Sequence, residues 1–338
     1  MLKCYAVVGL SFFSSCARES TAWCSVTEGW IDRQLPQGDE VFLDHVGFFV
    51  RELGAAGSQF ERLGFQVSQI NVQTNADAQG QLTPSGTSNR LARLRRGYLE
   101  ILAATHDTPL ADQLRTALAR YPGIHLVALS HDDIPAQRER LTQAGFRMQP
   151  VVTLRRRDKT LPGAPELTWS VLRPEPGVMA EGRVQFTKTH NPEHVWRDEL
   201  TMHSNSADGL SDVLLCVGDR RAAAERYGKY VAREPQHGDT SSVVALDRGG
   251  LLFVDPREAQ AMLPAFSAPT LPYIAGQALR TNDIALTRKA LSANAVTPLF
   301  ADDGLVCISP ADALGGYLLF HAPAIDKPWL ELARRLGG

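Results

Sequence analysis

Residues 43–50 read Leu43-Asp44-His45-Val46-Gly47-Phe48-Phe49-Val50, an apolar run broken by one acid and one histidine. A run of that length predicts a buried strand. Behind it, residues 53–63 have helical spacing and stop at Gly64-Phe65. A glycine there can take the left-handed conformation that ends a helix, and the next residue packs back. The plan restarts at Ile124-His125-Leu126-Val127-Ala128-Leu129, followed by a predicted helix over 134–144 and the same stop, Gly145-Phe146. His45 precedes Gly64 by 19 residues and His125 precedes Gly145 by 20. Matching punctuation at matching distance marks an internal repeat.

Each unit closes with further strands. Gly97-Tyr98-Leu99-Glu100-Ile101-Leu102 is the last of the first unit, and a helix over 109–120 leads to the second. Two fainter copies follow. One has a strand at 210–215, a helix over 221–227 stopped by Gly228, and a closing strand at 250–254. The other has a strand at 274–279, a helix over 284–293 and a closing strand at 316–320. All four read βαβββ, an α+β arrangement. One such unit is a curled sheet with a single helix and cannot bury its concave face alone, whereas a pair can and leaves a cleft. The expected organisation is therefore two pseudo-symmetric domains, 41–197 and 198–325, after an N-terminal extension (1–40, expected to be poorly ordered) and before a C-terminal tail (326–338).

Composition bounds what the chain can do. With 338 residues, a net charge of −2, 44% hydrophobic and 21% charged residues, it is globular and lacks the field of a nucleic-acid binder. No run of eighteen apolar residues could span a bilayer. Arginines at 93, 95 and 96 and at 155–157 read as solvated strand faces, with a small anionic substrate as the alternative. Five cysteines, an odd number without a C-x-x-C pair, give neither a disulfide framework nor a zinc knuckle. The expected compartment is the reducing cytoplasm. Lys3 and the run from Cys4 to Phe13 loosely resemble a signal peptide, which an unstructured leader or an upstream start explains as well. The expected partners are a small-molecule substrate and at most a second copy of the chain forming a homodimer, with no nucleic acid and no membrane.

Leu43-Asp44-His45-Val46, Gly86-Thr87-Ser88-Asn89 and Gly97-Tyr98-Leu99-Glu100 together resemble a glyoxalase-like domain of the vicinal oxygen chelate superfamily, which includes glyoxalases, bleomycin resistance proteins and extradiol dioxygenases. The stretch Val184-Gln185-Phe186 through His190 to Trp196, with His203-Ser204-Asn205, resembles a subgroup carrying an arm between its domains. The resemblance implies metal ligands in the middle of the first and last strand of each unit. Carried over position by position, they are His45, Glu100, His125 and Gln185, of which Gln185 departs from the more usual carboxylate or histidine. Two imidazoles and a carboxylate suit Fe2+, Mn2+, Ni2+ or Zn2+ with open positions for a chelating substrate. The corresponding places in the second pair hold Asp212, Leu252, Gln277 and Leu319, a set that cannot bind a cation.

The resemblance thus implies isomerase or lyase chemistry on a small molecule that chelates the metal through adjacent oxygens, with Glu100 also the candidate general base. An Fe(II) extradiol-type dioxygenase is a second reading, and a metal-free protein that sequesters a small molecule is a third. For His45 the plain alternative is a satisfied core histidine, and for Glu100 an outward-facing strand residue. His190-Asn191-Pro192-Glu193-His194 fits the H-x-x-E-H pattern formally, but Pro192 puts His190 at or before the helix start. His190, Trp196, His203 and Asn205 are expected to order the arm or to line the cleft mouth. Gly86–Asn89 reads as a turn into a strand rather than a phosphate cradle.

Overall fold

The computed structural model describes residues 30–76, 81–157, 163 and 165–337. Most of the expected N-terminal extension, residues 1–29, lies outside the described residues. Residues 32–338 form one compact unit.

The first module comprises β1 (Phe42–Phe49), α1 (Leu53–Arg62), β2 (Asn71–Ala76), β3 (Leu82–Arg93) and β4 (Tyr98–Ala104). Helix α2 (Pro109–Arg120) leads to the second: β5 (Gly123–Ser130), α3 (Ile134–Gln143), β6 (Val152–Arg157), β7 (Glu166–Leu172) and β8 (Arg183–Thr189). Two single turns, α4 (Pro192–Val195) and α5 (Asp198–Thr201), make the arm. The third module has β9 (Ala207–Cys216), α6 (Arg220–Val231), β10 (Gln236–His237), β11 (Ser242–Ala245) and β12 (Gly250–Val254). After α7 (Pro256–Met262) come β13 (Tyr273–Thr281), α8 (Ile284–Ala293), β14 (Phe300–Ala301), β15 (Leu305–Ile308) and β16 (Tyr317–His321). Helix α9 (Pro328–Gly337) occupies the C-terminal tail.

The repeat is therefore real at the level of elements, and its punctuation is physical. Asp133, Asp219 and Asp283 each cap the module helix by accepting a backbone N–H from its first turn, as Glu52 does in the first module. Gly64 and Gly145 stop their helices at φ +90° and +84°. The expected stop at Gly228 is different: α6 continues to Val231 and turns at Ala232, φ +55°. Gly228 lies inside α6 because a Cβ there would meet Arg233 O at 2.6 Å. Gly86–Asn89 likewise lies within β3 and is not a turn into a strand. There Gly86, φ +97°, leaves room for Thr108, the cap of α2.

Within each pair the first strands meet antiparallel, β1 on β5 and β9 on β13, and each lies parallel to the closing strand of its own module. A pairing of Ile124 with Ile274 joins the two halves into one sheet. One face of the sheet packs on α1, α3 and α6 through residues such as Val46, Phe48, Phe60, Leu99, Val127 and Phe186. The concave faces differ between the halves. In the second half Leu214, Leu252, Tyr317 and Leu319 pack with Met262 of α7 and with Trp329 and Leu332 of α9, so the hollow is filled with apolar side chains. In the first half Phe49 and Leu102 pack with Leu114 of α2 over only part of the face, and polar residues take the rest.

Candidate active site

Strand alternation places Tyr98 and Glu100, His45 and Gly47, Leu126 and Ala128, and Arg183 and Gln185 on the concave face of the first half. Their register defines two adjacent rows across β4, β1, β5 and β8. One row is Tyr98, His45, Ala128, Gln185 and the other is Glu100, Gly47, Leu126, Arg183.

His45 is the best-held member. A bulge in β1 leaves Asp44 without a register partner on β5, between Leu43 and His45, and so brings two consecutive side chains together. Asp44 Oδ1 lies 2.6 Å from His45 Nδ1, and both residues are buried. A carboxylate only accepts, so Nδ1 carries the proton and Nε2 is left as the lone-pair nitrogen. That nitrogen faces Glu100 Oε2 at 3.8 Å and Tyr98 Oη at 3.4 Å, with the Tyr98 ring stacked on the imidazole at 4.2 Å. Burial, reinforced by the Asp44 and Glu100 carboxylates, pushes the Tyr98 phenol well above its ordinary pKa. It stays protonated and can donate to His45.

Glu100 is fixed from its other side. Asn89 Nδ2 donates to Glu100 Oε1 at 2.6 Å and Gln73 Nε2 at 3.3 Å, while Thr87 donates to Gln73. Its second oxygen is thereby aimed at His45. Two donors on one small cation, each about 2.0–2.2 Å from it, stand roughly 3–4 Å apart. The His45–Glu100 pair fits a divalent ion by separation and by donor chemistry.

The structure does not bring the other two expected ligands to this pair. A bulge in β5 pairs Leu126 with Gly47 and Ile124 with Phe48, leaving His125 as the extra residue. Leu126, not His125, occupies the row. His125 stacks on Tyr121 at 4.0 Å and on Phe49 at 5.2 Å, and its Nε2 donates to Tyr121 O at 2.7 Å. Burial pulls its pKa down to about 4, so it is neutral, and its Nδ1 has no partner. Gln185 does lie in the cleft, but its Oε1 accepts from Arg173 Nε at 3.0 Å. Among the described residues no group of three His, Cys, Asp or Glu side chains is arranged to hold a metal.

The arm residues divide. Trp196 Nε1 donates to Gly97 O, and its ring stands 6.1 Å from that of Tyr98, at the cleft mouth. His203 receives Gln66 N–H on Nδ1 and donates from Nε2 to Arg93 O, with burial holding its pKa near 4. Asn205 donates to Leu63 O and accepts from Ala207 N, clamping the arm to the stop of α1. His190 meets Ser170 Oγ at 2.8 Å near the surface. In the second half the bulge recurs, because Ala275 is left without a partner between Ile274 and Gly276. Gly276 and Ala278 lie on the concave face, in adjacent rows, and Gln277 faces away from it. Asp212 remains, its carboxyl pushed up to about 7 by burial. The surface hollow lined by Gln66, Ser68, Asn71, Leu91, Arg93 and Leu200 does not include His45, Tyr98 or Glu100, although Leu91 and Arg93 are the cross-strand partners of Glu100 and Tyr98.

Sequence reading missed Asp44, Asn89, Gln73, Tyr98, Arg173 and Arg183 as members of the site. Asn89 carried a signal, since it stood in a quoted motif; Asp44 was concealed because regular alternation would put it on the opposite face from His45.

Paired βαβββ modules around a polar concave face define a protein of the vicinal oxygen chelate class. More particularly, the chain belongs to the glyoxalase-like domain family, whose model matches residues 43–231, over half of its length. Solved structures share the fold at low identity. A hypothetical protein from Staphylococcus aureus is 11% identical with a TM-score of 0.58, covering 83% of this chain and 99% of that one. A triple mutant of 4-hydroxymandelate synthase from Streptomyces coelicolor is 14% identical at 0.52, covering 88% and 99%. An Mn(II)-bound glyoxalase from Novosphingobium aromaticivorans is 9% identical at 0.51, covering 85% and 83%. No functionally curated protein matches by sequence. Among the described residues, no helix is long and apolar enough to cross a membrane.

Proposed function

We propose that the first half is the active half of a divalent-metal-dependent enzyme with isomerase or lyase chemistry on a small, oxygen-rich molecule. The observation that carries this reading is the line Asp44–His45–Glu100, in which a buried carboxylate orients an imidazole towards a second carboxylate 3.8 Å away. His45 and Glu100 are the protein ligands in this reading, and His125 and Gln185 stay outside the set. When bound, a divalent ion supplies Lewis-acid polarisation of substrate oxygens. Asp44 keeps the proton on Nδ1 of His45 and leaves Nε2 basic. Asn89 and Gln73 hold one Glu100 oxygen, so the other would serve the ion and, on leaving it, would accept a proton from substrate. Tyr98 and Trp196 narrow the mouth and exclude water. The Mn(II)-bound glyoxalase sharing the fold agrees with a divalent ion in such a cleft.

A metal-free protein that sequesters a small molecule is the second reading, favoured by His125 standing apart and by Gln185 being engaged with Arg173. Metal content of protein purified without chelator separates the two. Near-stoichiometric metal is expected in wild type and in His125→Ala, with loss in His45→Ala and in Glu100→Ala. Wild type that stays metal-free after incubation with Fe2+, Mn2+, Ni2+ and Zn2+ overturns the enzyme reading and leaves the sequestering one.

A further inference from the structure

Beside Glu100 and the Asp44 carboxylate that pairs with His45, the concave face of the first half carries two arginines, Arg173 and Arg183, that make no ion pair among the described residues. Arg183 stands in the Glu100 row, two strands beyond Gly47. Its guanidinium lies over the Phe49 ring at 5.5 Å and makes no hydrogen bond or ion pair among the described residues. Arg173, one residue beyond the end of β7, spends only its Nε, on Gln185 Oε1 at 3.0 Å. Both side chains are half-buried, so part of each guanidinium remains open. Each is close enough to Glu100 to feel its charge, and Arg183 also feels Arg173. Burial lowers the pKa of both, that of Arg183 to about 9, and both remain cations at neutral pH. A half-buried cation without an anionic partner costs free energy, and two near each other cost more. Glu100, whose charge both feel, forms an ion pair with neither among the described residues.

We infer that Arg173 and Arg183 are an anion clamp, and that the molecule taken into this cleft is a carboxylate whose acid group they hold opposite His45 and Glu100. The planar guanidinium fork matches a carboxylate through paired N–H···O bonds. The guanidinium fork is planar, as a carboxylate is and a tetrahedral phosphate is not, so at equal charge the carboxylate is the better match. Gly47 and Ala128 keep the floor between the clamp and His45 low: a Cβ on Gly47 would lie 2.9 Å from Leu126 Cβ. The acid end of the substrate then sits on the second module and its reacting end on the first. This inference rests on reading the cleft as the active site, but it does not need the metal.

The test is made on chelator-treated, full-length protein, so that it stands or falls apart from the metal reading. Malonate, its neutral diamide malonamide and inorganic phosphate are titrated by calorimetry and by thermal shift. Malonate is expected to bind and raise Tm, with malonamide inert and phosphate weaker. Arg183→Gln and Arg173→Gln are each expected to weaken malonate by about tenfold or more, the loss of one charge-assisted contact. Arg183→Lys is expected to recover part of it, and Glu100→Gln to tighten binding by removing the opposing charge. Urea unfolding of each variant identifies any that fail to fold. Malonate and malonamide binding alike, or malonate affinity unchanged in folded Arg183→Gln, overturns the clamp. Phosphate binding more tightly than malonate overturns the carboxylate assignment in favour of a phosphomonoester.

Discussion

Asp44→Asn is the most informative single change, because it keeps the shape of the cleft and removes one charge. In the native chain Asp44 and His45 are 1% and 3% exposed and 2.6 Å apart, so their hydrogen bond is shielded from water and charge-assisted. Asparagine can present its NH2 to Nδ1 as readily as its oxygen, which moves the imidazole proton to Nε2 and turns the lone pair away from Glu100. Carboxylates that orient a ligating histidine contribute about 10–100-fold to metal affinity, or roughly 1.4–2.8 kcal/mol. Metal affinity of Asp44→Asn should fall within that range, measured by competition with a chromophoric chelator. Nitrogen chemical shifts of the His45 ring should report protonated Nδ1 in wild type and a mixed tautomer in the variant. An unchanged affinity in Asp44→Asn, alongside abolished binding in His45→Ala, would refute the argument that Asp44 sets the lone pair.

Two further outcomes follow from burial. His125, His203 and His321 have their pKa lowered to about 4 by burial, so all three are neutral in the native state below their ordinary 6.5. As pH falls the unfolded chain protonates first, and stability is lost between about pH 6.5 and 4, at up to roughly 1.4 kcal/mol per pH unit for each histidine. Urea titrations at pH 7, 6 and 5 should show this, and His125→Phe should lessen the slope while leaving metal content unchanged; a pH-independent midpoint across that window would contradict it. Trp329 is 2% exposed in the apolar filling of the second half. Trp329→Ala should cost about 3–5 kcal/mol in the same assay, and a loss under 1 kcal/mol would show that α9 does not close that hollow.

The elements were legible because the repeat has redundant marks. An apolar strand, a helix at fixed distance and a glycine stop recur, and α1 and α3 begin and end close to where the pattern puts them. The marks weaken in the second half, where Ala232 turns the chain after α6 with no glycine to announce it. The site was legible only in its first module. His45 and Glu100 fall on one face by simple alternation, but His125 and Gln277 each sit one place from the position equivalent to His45. In both second modules a bulge absorbs one residue, and a slip of one residue reverses which face a side chain takes. Periodicity carries no trace of a bulge. The arginines were hidden for another reason. Of those that stood out by clustering, Arg95 pairs with Asp32 on the surface, Arg96 pairs with it from a largely buried position, and Arg93 is buried and not on a solvated face. Arg173 and Arg183 are isolated in the sequence and meet only because β7 and β8 are neighbours.

The junction of Ile124 with Ile274 gives the molecule a mechanical property that its four-part sequence conceals. The strands of both halves belong to one hydrogen-bonded sheet, and residues 32–338 are a single compact unit. Tyr121 strengthens the seam, since its hydroxyl donates to Ile124 O and accepts Ile274 N–H. The same Tyr121 ring lies against His125. The half whose concave face is filled with apolar side chains therefore braces the half whose concave face is partly polar. Heating should give one melting transition, not two, and damage at the far end of the chain should be felt in the polar cleft.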